Sequence, residues 1–173
     1  MKIKAISTIL VFTLLISFLN AQSNIDVNNI DIIRTEYGIP HIFTKTNEEA
    51  VYGLAWAQCE DNFNMLQKSL AATKGMAGSV VGPKGAILDL IFQIFEIEQF
   101  VEERYNQDIT PEMDKLINAY VSALNKYAAL NPKQVKKKGL FPITSKHLVG
   151  NYTLQYHLMH NSVIELGLSL IHI

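Results

Sequence analysis

Apolar positions change their spacing several times along this chain, and each change marks an element. Ile30, Ile32 and Ile33 lead into Arg34 with the β-branched character of a strand. Tyr37-Gly38-Ile39-Pro40 interrupts it, because glycine accepts a positive φ and proline disfavours helix at the residue before it. His41-Ile42-Phe43 resumes the extended pattern, so a hairpin or bent strand is predicted. Thr46-Asn47-Glu48-Glu49 has the T-x-x-E form of a capping box and opens a helix. Tyr52, Trp56, Cys59, Phe63, Leu66 and Leu70 then recur every three or four residues, while Val51, Leu54 and Ala55 widen the apolar face in its first half. Gly75 and Gly78 are expected to end this helical region, and Gly82-Pro83-Lys84-Gly85 reads as a loop.

Helical spacing predicts a second helix over residues 87–101. Thr110-Pro111-Glu112 is a helix start, with threonine as cap, proline in the first turn and a carboxylate at the positive end of the dipole. In that helix Met113, Leu116, Ile117, Tyr120, Val121, Leu124 and Tyr127 form an apolar stripe, and Asp114, Asn118, Ser122, Asn125 and Lys126 form the opposite face. Asn131-Pro132 stops it. Thr144 caps a last helix predicted over residues 145–166. The fold class is mainly α with a small N-terminal β element.

Residues 1–21 stand apart. Lys2 and Lys4 precede an apolar run that is too short to span a bilayer, and Ala21 supplies a small residue for cleavage. The segment reads as a signal peptide cleaved after Ala21, with an uncleaved anchor as the alternative, and residues 22–173 as the exported portion. The final stretch, Leu168 to Ile173, is apolar to its end, so the chain reads as truncated at its C-terminus.

Charge adds an exclusion. With 15 basic and 16 acidic residues the net charge is −1, so no field favours nucleic acid or anionic lipid. Lys133 and Lys136-Lys137-Lys138 have no interleaved aromatic residues and read as a solvated loop. With 49% apolar residues the chain can build a core. Cys59 is the single cysteine, so no internal disulfide forms, and it is expected to pack as a small apolar residue rather than act as a nucleophile.

The common catalytic motifs are absent: there is no G-x-S-x-G, P-loop, dinucleotide fingerprint or H-E-x-x-H. His157 and His160, with Glu165 further on, offer a weak metal constellation, and core or groove-lining histidines are the favoured reading. His41 is expected to make an ordinary hydrogen bond. Asn151-Tyr152-Thr153 is formally a glycosylation sequon within a predicted helix. Glu48 and Glu49 suit the first turn of a helix. Glu60 and Asp61 interrupt an apolar helix, where buried carboxylates need a partner, and Arg34 is the candidate.

Arg34-x-Glu36-Tyr37-Gly38-Ile39-Pro40-His41-Ile42, followed by Tyr52-Gly53-x-x-x-Ala57-Gln58-x-Glu60-Asp61, resembles the start of the penicillin acylase family. The resemblance extends over about residues 30–165 and is strongest before Met65. It implies an exported N-terminal-nucleophile amidohydrolase with a four-layer αββα fold, made as a precursor that cuts itself into a smaller α and a larger β chain. This chain resembles the α portion only. The serine nucleophile is therefore expected beyond Ile173, on a β chain that is the implied partner, and the chain alone is expected to be inactive. The implied substrate is a small N-acyl compound, penicillin-like or acyl-homoserine-lactone-like. A gapless match of the last helix to the family places Gln155, Leu158 and Met159 at substrate-binding positions and Glu165 at a carboxylate ligand to a structural calcium, with no organic cofactor implied. The family's usual arginine and aromatic in the pocket are replaced by Leu158 and Met159, which suits a fatty or an aryl acyl group equally. The alternative is a non-catalytic helical periplasmic binding or interaction protein on an acylase-like scaffold.

Overall fold

A computed structural model describes residues 25–160, so the expected signal peptide and Glu165 lie outside the described residues. The first sheet element is an antiparallel hairpin of β1 (Asp31–Arg34) and β2 (Pro40–Phe43), paired from Asp31 opposite Phe43 to Arg34 opposite Pro40. Its turn depends on Gly38, at φ 79°, whose N–H donates to the Thr35 carbonyl at 2.9 Å. The hairpin read from the sequence is thus present.

Helix α1 (Asn47–Ala71) starts at the expected capping box: Glu49 N–H donates to Thr46 Oγ1, and the Glu49 carboxylate accepts the Thr46 N–H. A 3-10 turn at Ala72–Lys74 and a left-handed Gly75 end it. Two short helices follow, α2 (Ala77–Val81) and α3 (Pro83–Ile94), then α4 (Ile97–Asp108), α5 (Pro111–Leu130) and α6 (Ser145–Met159). Among the described residues, no helix is long and apolar enough to cross a membrane.

The structure departs from several sequence expectations. Gly78 lies inside α2, and the segment expected to be a loop at 82–85 opens α3, with Pro83 in its first turn. Gly85 lets the two helices touch: a Cβ there would lie 2.1 Å from the Ala77 carbonyl oxygen. Asp89 accepts the Ala77 and Gly78 N–H groups at 2.9 and 2.8 Å, satisfying the start of α2 from the second turn of the neighbouring helix. The single helix predicted over 87–101 is two, because Glu96 adopts the left-handed φ of 50°. The break lets Ile91 and Phe92 on one side, and Ile97 and Val101 on the other, face the same core. Met113, assigned to the apolar stripe of α5, is exposed. The last helix, predicted to 166, gives way at Met159 to a cap at His160, and the residues beyond are outside the described ones.

The core has two parts. In one, Tyr52, Phe63 and Leu70 of α1 pack against Tyr120, Leu124 and Tyr127 of α5 and Leu148 of α6. Phe63 makes an edge contact with Tyr127 at 5.0 Å and stacks on Phe141 at 5.5 Å. In the other, α3 and α4 pack against Leu140 and Leu154. Helix α6 touches both parts and carries Gln155, so its position depends on each.

Candidate functional site

Arg34, at the end of β1, ties the hairpin to α1. Its guanidinium donates to the Gly38 carbonyl at 3.0 Å and pairs with Glu60 at 3.1 Å and Asp61 at 2.8 Å. The hydrogen bond to Glu60 contributes most to raising its pKa. Trp56 Nε1 donates to the other oxygen of Glu60 at 3.0 Å. The partner proposed from sequence is therefore correct, but the burial is not: Glu60 and Asp61 side chains are 43% and 54% exposed. Both are solvent-exposed, so the pairing is a surface clasp rather than a buried compensation.

Immediately after them the helix bends. Asn62 has φ −158° and ψ 63°, and its side-chain oxygen accepts the Met65 N–H at 3.0 Å, so it acts as a cap for a second helical segment. The apolar spacing carries no sign of this, because Phe63, Leu66 and Leu70 continue the stripe across the bend. Beside it, a groove of about 530 Å³ runs between α1, α5 and α6. Leu66, Leu70, Leu124 and Leu148 form much of its apolar part, and the carboxamides of Gln58, Asn62, Asn151 and Gln155, with Asp61 and Ser69, its polar part. The Gln58 side-chain oxygen accepts from the Tyr120 hydroxyl, whose pKa burial pushes well up.

Of the substrate-binding residues implied by the resemblance, Gln155 lines this groove. Leu158 and Met159 stand further along the same face of α6, outside it and exposed, Met159 at 79%. The structure brings one of the three into the cavity and leaves the other two on an uncovered surface. In the sequence Asn151 stands out only as part of a sequon. It is 5% exposed, and its carboxamide makes no hydrogen bond to a described residue. The signal that could have found it is its spacing of three from Leu148 and four from Gln155, which puts a polar side chain on the inward face of α6.

The other candidates are structural. Cys59 is 1% exposed and burial pushes its thiol up to about 12, the opposite of an activated nucleophile. Glu49 is buried and caps α1, with a pKa held low chiefly by the Asn29 side-chain amide at 3.0 Å. His41 is exposed on β2 and makes no side-chain hydrogen bond among the described residues, contrary to expectation. His157 stacks on Phe95 at 4.4 Å, and His160 lies against Tyr156. Among the described residues, no three His, Cys, Asp or Glu side chains could hold a metal ion.

Comparisons with known proteins identify the family. The sequence profile of the penicillin amidase family matches residues 29–165. Acyl-homoserine lactone acylase PvdQ of Pseudomonas syringae pv. syringae is 28% identical over 123 residues, covering 64% of this chain and 16% of that protein. Acyl-homoserine lactone acylase QuiP of Pseudomonas aeruginosa is 23% identical over 99 residues, 57% of this chain and 12% of that protein. The chain thus spans about a sixth or less of the length of these curated relatives. A thermostable penicillin G acylase from Alcaligenes faecalis superposes with a TM-score of 0.54 at 16% identity, over 74% of this chain and 72% of that chain. At that identity the likeness establishes the fold alone, that of the matched portion of the acylase chain. With the profile matched from the hairpin to beyond the last described helix, the chain belongs to the penicillin amidase family.

Proposed function

We propose that this chain is the α-chain portion of an exported amidohydrolase that cleaves the amide of an N-acyl compound, penicillin-like or acyl-homoserine-lactone-like. One observation carries the reading: the family profile fills residues 29–165, yet the longer relatives are matched over only 16% of their length. The solved acylase chain, in contrast, is covered to nearly the same share as this one, so the two are of similar length. A short chain that carries the family's N-terminal pattern and none of its nucleophile chemistry fits a two-chain enzyme.

In this reading a serine at the new N-terminus of a separate β chain attacks the acyl carbon, with its own α-amino group as base. Donors on that chain stabilise the oxyanion. The α portion supplies one side of the acyl pocket through Gln155, Leu158 and Met159, and the exposure of Leu158 and Met159 suits a surface that a second chain covers. Glu165 would give one carboxylate oxygen to a structural calcium, a hard cation that prefers oxygen donors, with the remaining ligands outside the described residues. The apolar segment before Ala21 directs export.

The test is amine release from N-acyl substrates by the purified 173-residue chain and by the product of its reading frame continued past Ile173. The chain alone is expected to be inactive and the continued product active. Hydrolysis by the chain alone would overturn the proposal.

A further inference from the structure

A second cavity, of about 310 Å³, lies between the hairpin, α1 and α5, and no residue of α6 lines it. Ile30 and Ile32 form one wall and Trp56 the other. The hairpin is fixed against α1 at this point: a Cβ on Gly53 would lie 2.8 Å from Ile42 and 3.0 Å from Ile30. Trp56 donates its indole N–H to Glu60, so toward the cavity it offers only apolar surface.

Two polar groups break this apolar lining, and neither has a partner. Tyr52 is more than nine-tenths buried, at 8% exposure, yet its hydroxyl makes no hydrogen bond among the described residues. The hydroxyl is not sealed in, since His157 Nδ1 is the one sealed and unpaired side-chain atom among those residues, so what it opens to is the cavity it lines. Buried hydroxyls are normally satisfied, and one left open toward a cavity marks a place where an external group completes the bonding. Burial raises its pKa, so at neutral pH it is an O–H donor. Lys126, on α5, is exposed at the rim and forms no ion pair among the described residues.

The ligand chemistry follows from this pair of donors. A carboxylate is acceptor-only and has two oxygens, one for the hydroxyl and one for the ammonium. A cation is repelled by Lys126, and no Asp or Glu among the lining residues would offset that. A phosphate, with more charge than one lysine matches, would set that charge against the isoleucine wall. The isoleucines and the indole face suit a short hydrocarbon part, and the volume is at the small end of the range for small-molecule sites.

We propose that the cavity between the hairpin, α1 and α5 binds a small apolar monocarboxylate, held by the Tyr52 hydroxyl and the Lys126 ammonium. The proposal stands on this cavity alone and does not draw on the acylase reading.

The experiment is a titration of the 173-residue chain with hexanoate, followed through Trp56, the single tryptophan, by its fluorescence and its indole N–H signal. A saturable change is expected, with affinity falling as salt is added. Hexan-1-ol, of equal length and uncharged, is expected to bind at least about tenfold more weakly. Tyr52→Phe, which removes only the hydroxyl, is expected to weaken hexanoate binding about tenfold. Its unliganded Tm should stay within about 2 °C of the parent's, because no bond within the chain is lost. Lys126→Gln is expected to weaken binding about threefold and to remove most of the salt dependence. The proposal is overturned if hexanoate gives no saturable change in either signal, or if hexan-1-ol binds equally. It is also overturned if either variant binds as the parent does. A markedly lower unliganded Tm in Tyr52→Phe would show that the hydroxyl has a partner within the chain, and would overturn it as well.

Discussion

Replacing Asn125 by alanine tests how α6, and the groove with it, is held in place. Asn125 lies on the face of α5 that reads as polar and solvated, yet its carboxamide closes a reciprocal pair with one distant residue. Its NH₂ donates to the Ile143 carbonyl at 2.9 Å, and its oxygen accepts the Ile143 N–H at 2.7 Å. Ile143 is 2% exposed, so water cannot readily replace either bond. Leaving two backbone groups unpaired there costs about 1–2 kcal/mol each, a total of about 2–4 kcal/mol. For a domain of this size, 3 kcal/mol lowers Tm by about 6–12 °C. Asn125→Asp keeps the acceptor but sets a carboxylate oxygen against the Ile143 carbonyl, so a loss at least as large is expected at neutral pH. Asn118→Ala is the control: it also joins α5 to the start of α6, through the Ser145 hydroxyl at 2.5 Å, but in an exposed setting, where less than about 1 kcal/mol is expected. Urea denaturation followed by circular dichroism gives the three values, and amide exchange at Ile143 localises the effect. If Asn125→Ala were no more destabilising than Asn118→Ala, the view that this pair anchors α6 would be wrong.

Two further outcomes follow from the titratable groups. His147 takes the Glu role in the capping box of α6, accepting the Thr144 N–H at Nδ1 at 3.0 Å, so the neutral ring is the competent form. Burial, then Lys74, depress its pKa against the opposing pull of Glu98 and Glu102. A depressed histidine contributes stability that is complete above its unfolded value of about 6.5 and is lost as pH falls through the folded value, so the urea midpoint should drop below about pH 6.5. That component should be missing in His147→Gln; an unchanged pH profile in the variant would refute the assignment. Cys59, with its thiol near 12, should resist iodoacetamide at pH 8 in the folded chain and react readily in urea. Comparable rates in the two states would show that the thiol is not buried as described.

The elements most legible in the sequence were those with local chemistry at their ends. Thr46 with Glu49, Thr110 with Pro111, and Thr144 each cap the helix assigned to them, and Gly38 makes the hairpin turn. What escaped was set by tertiary contact. The bend at Asn62 leaves the apolar stripe continuous, so periodicity has nothing to register. Gly85 looks like a loop residue, but it is retained inside α3 because the Ala77 carbonyl occupies the space where a side chain would go. Glu96 turns the chain left-handed without a glycine, since both halves of the 87–101 segment gain a core face by folding back. The Arg34 clasp was legible as a charge pairing, whereas its exposure depended on which side of α1 faces the core.

The same distinction applies to the site. Gln155 could be placed from family likeness, and it does line the groove. Asn151 could not, because an asparagine on the inward face of a helix is ordinary until its partners are counted. The opening stretch of the family pattern, residues 34–61, fixes a hairpin on a helix and leaves apolar surface such as Ile39 and Phe43 exposed. That surface is what a second chain would cover.

The central claim is that this chain is one part of a self-cleaving precursor whose nucleophile lies beyond Ile173. Its most direct test is mass spectrometry and N-terminal sequencing of the protein made from the reading frame continued past that residue. Two chains are expected, the larger beginning with a serine that followed a glycine or another small residue, and substitution of that serine by alanine should leave the precursor whole. A stop codon directly after Ile173, or a continued product that remains a single uncut chain, would contradict the claim and favour a non-catalytic binding protein on the same scaffold.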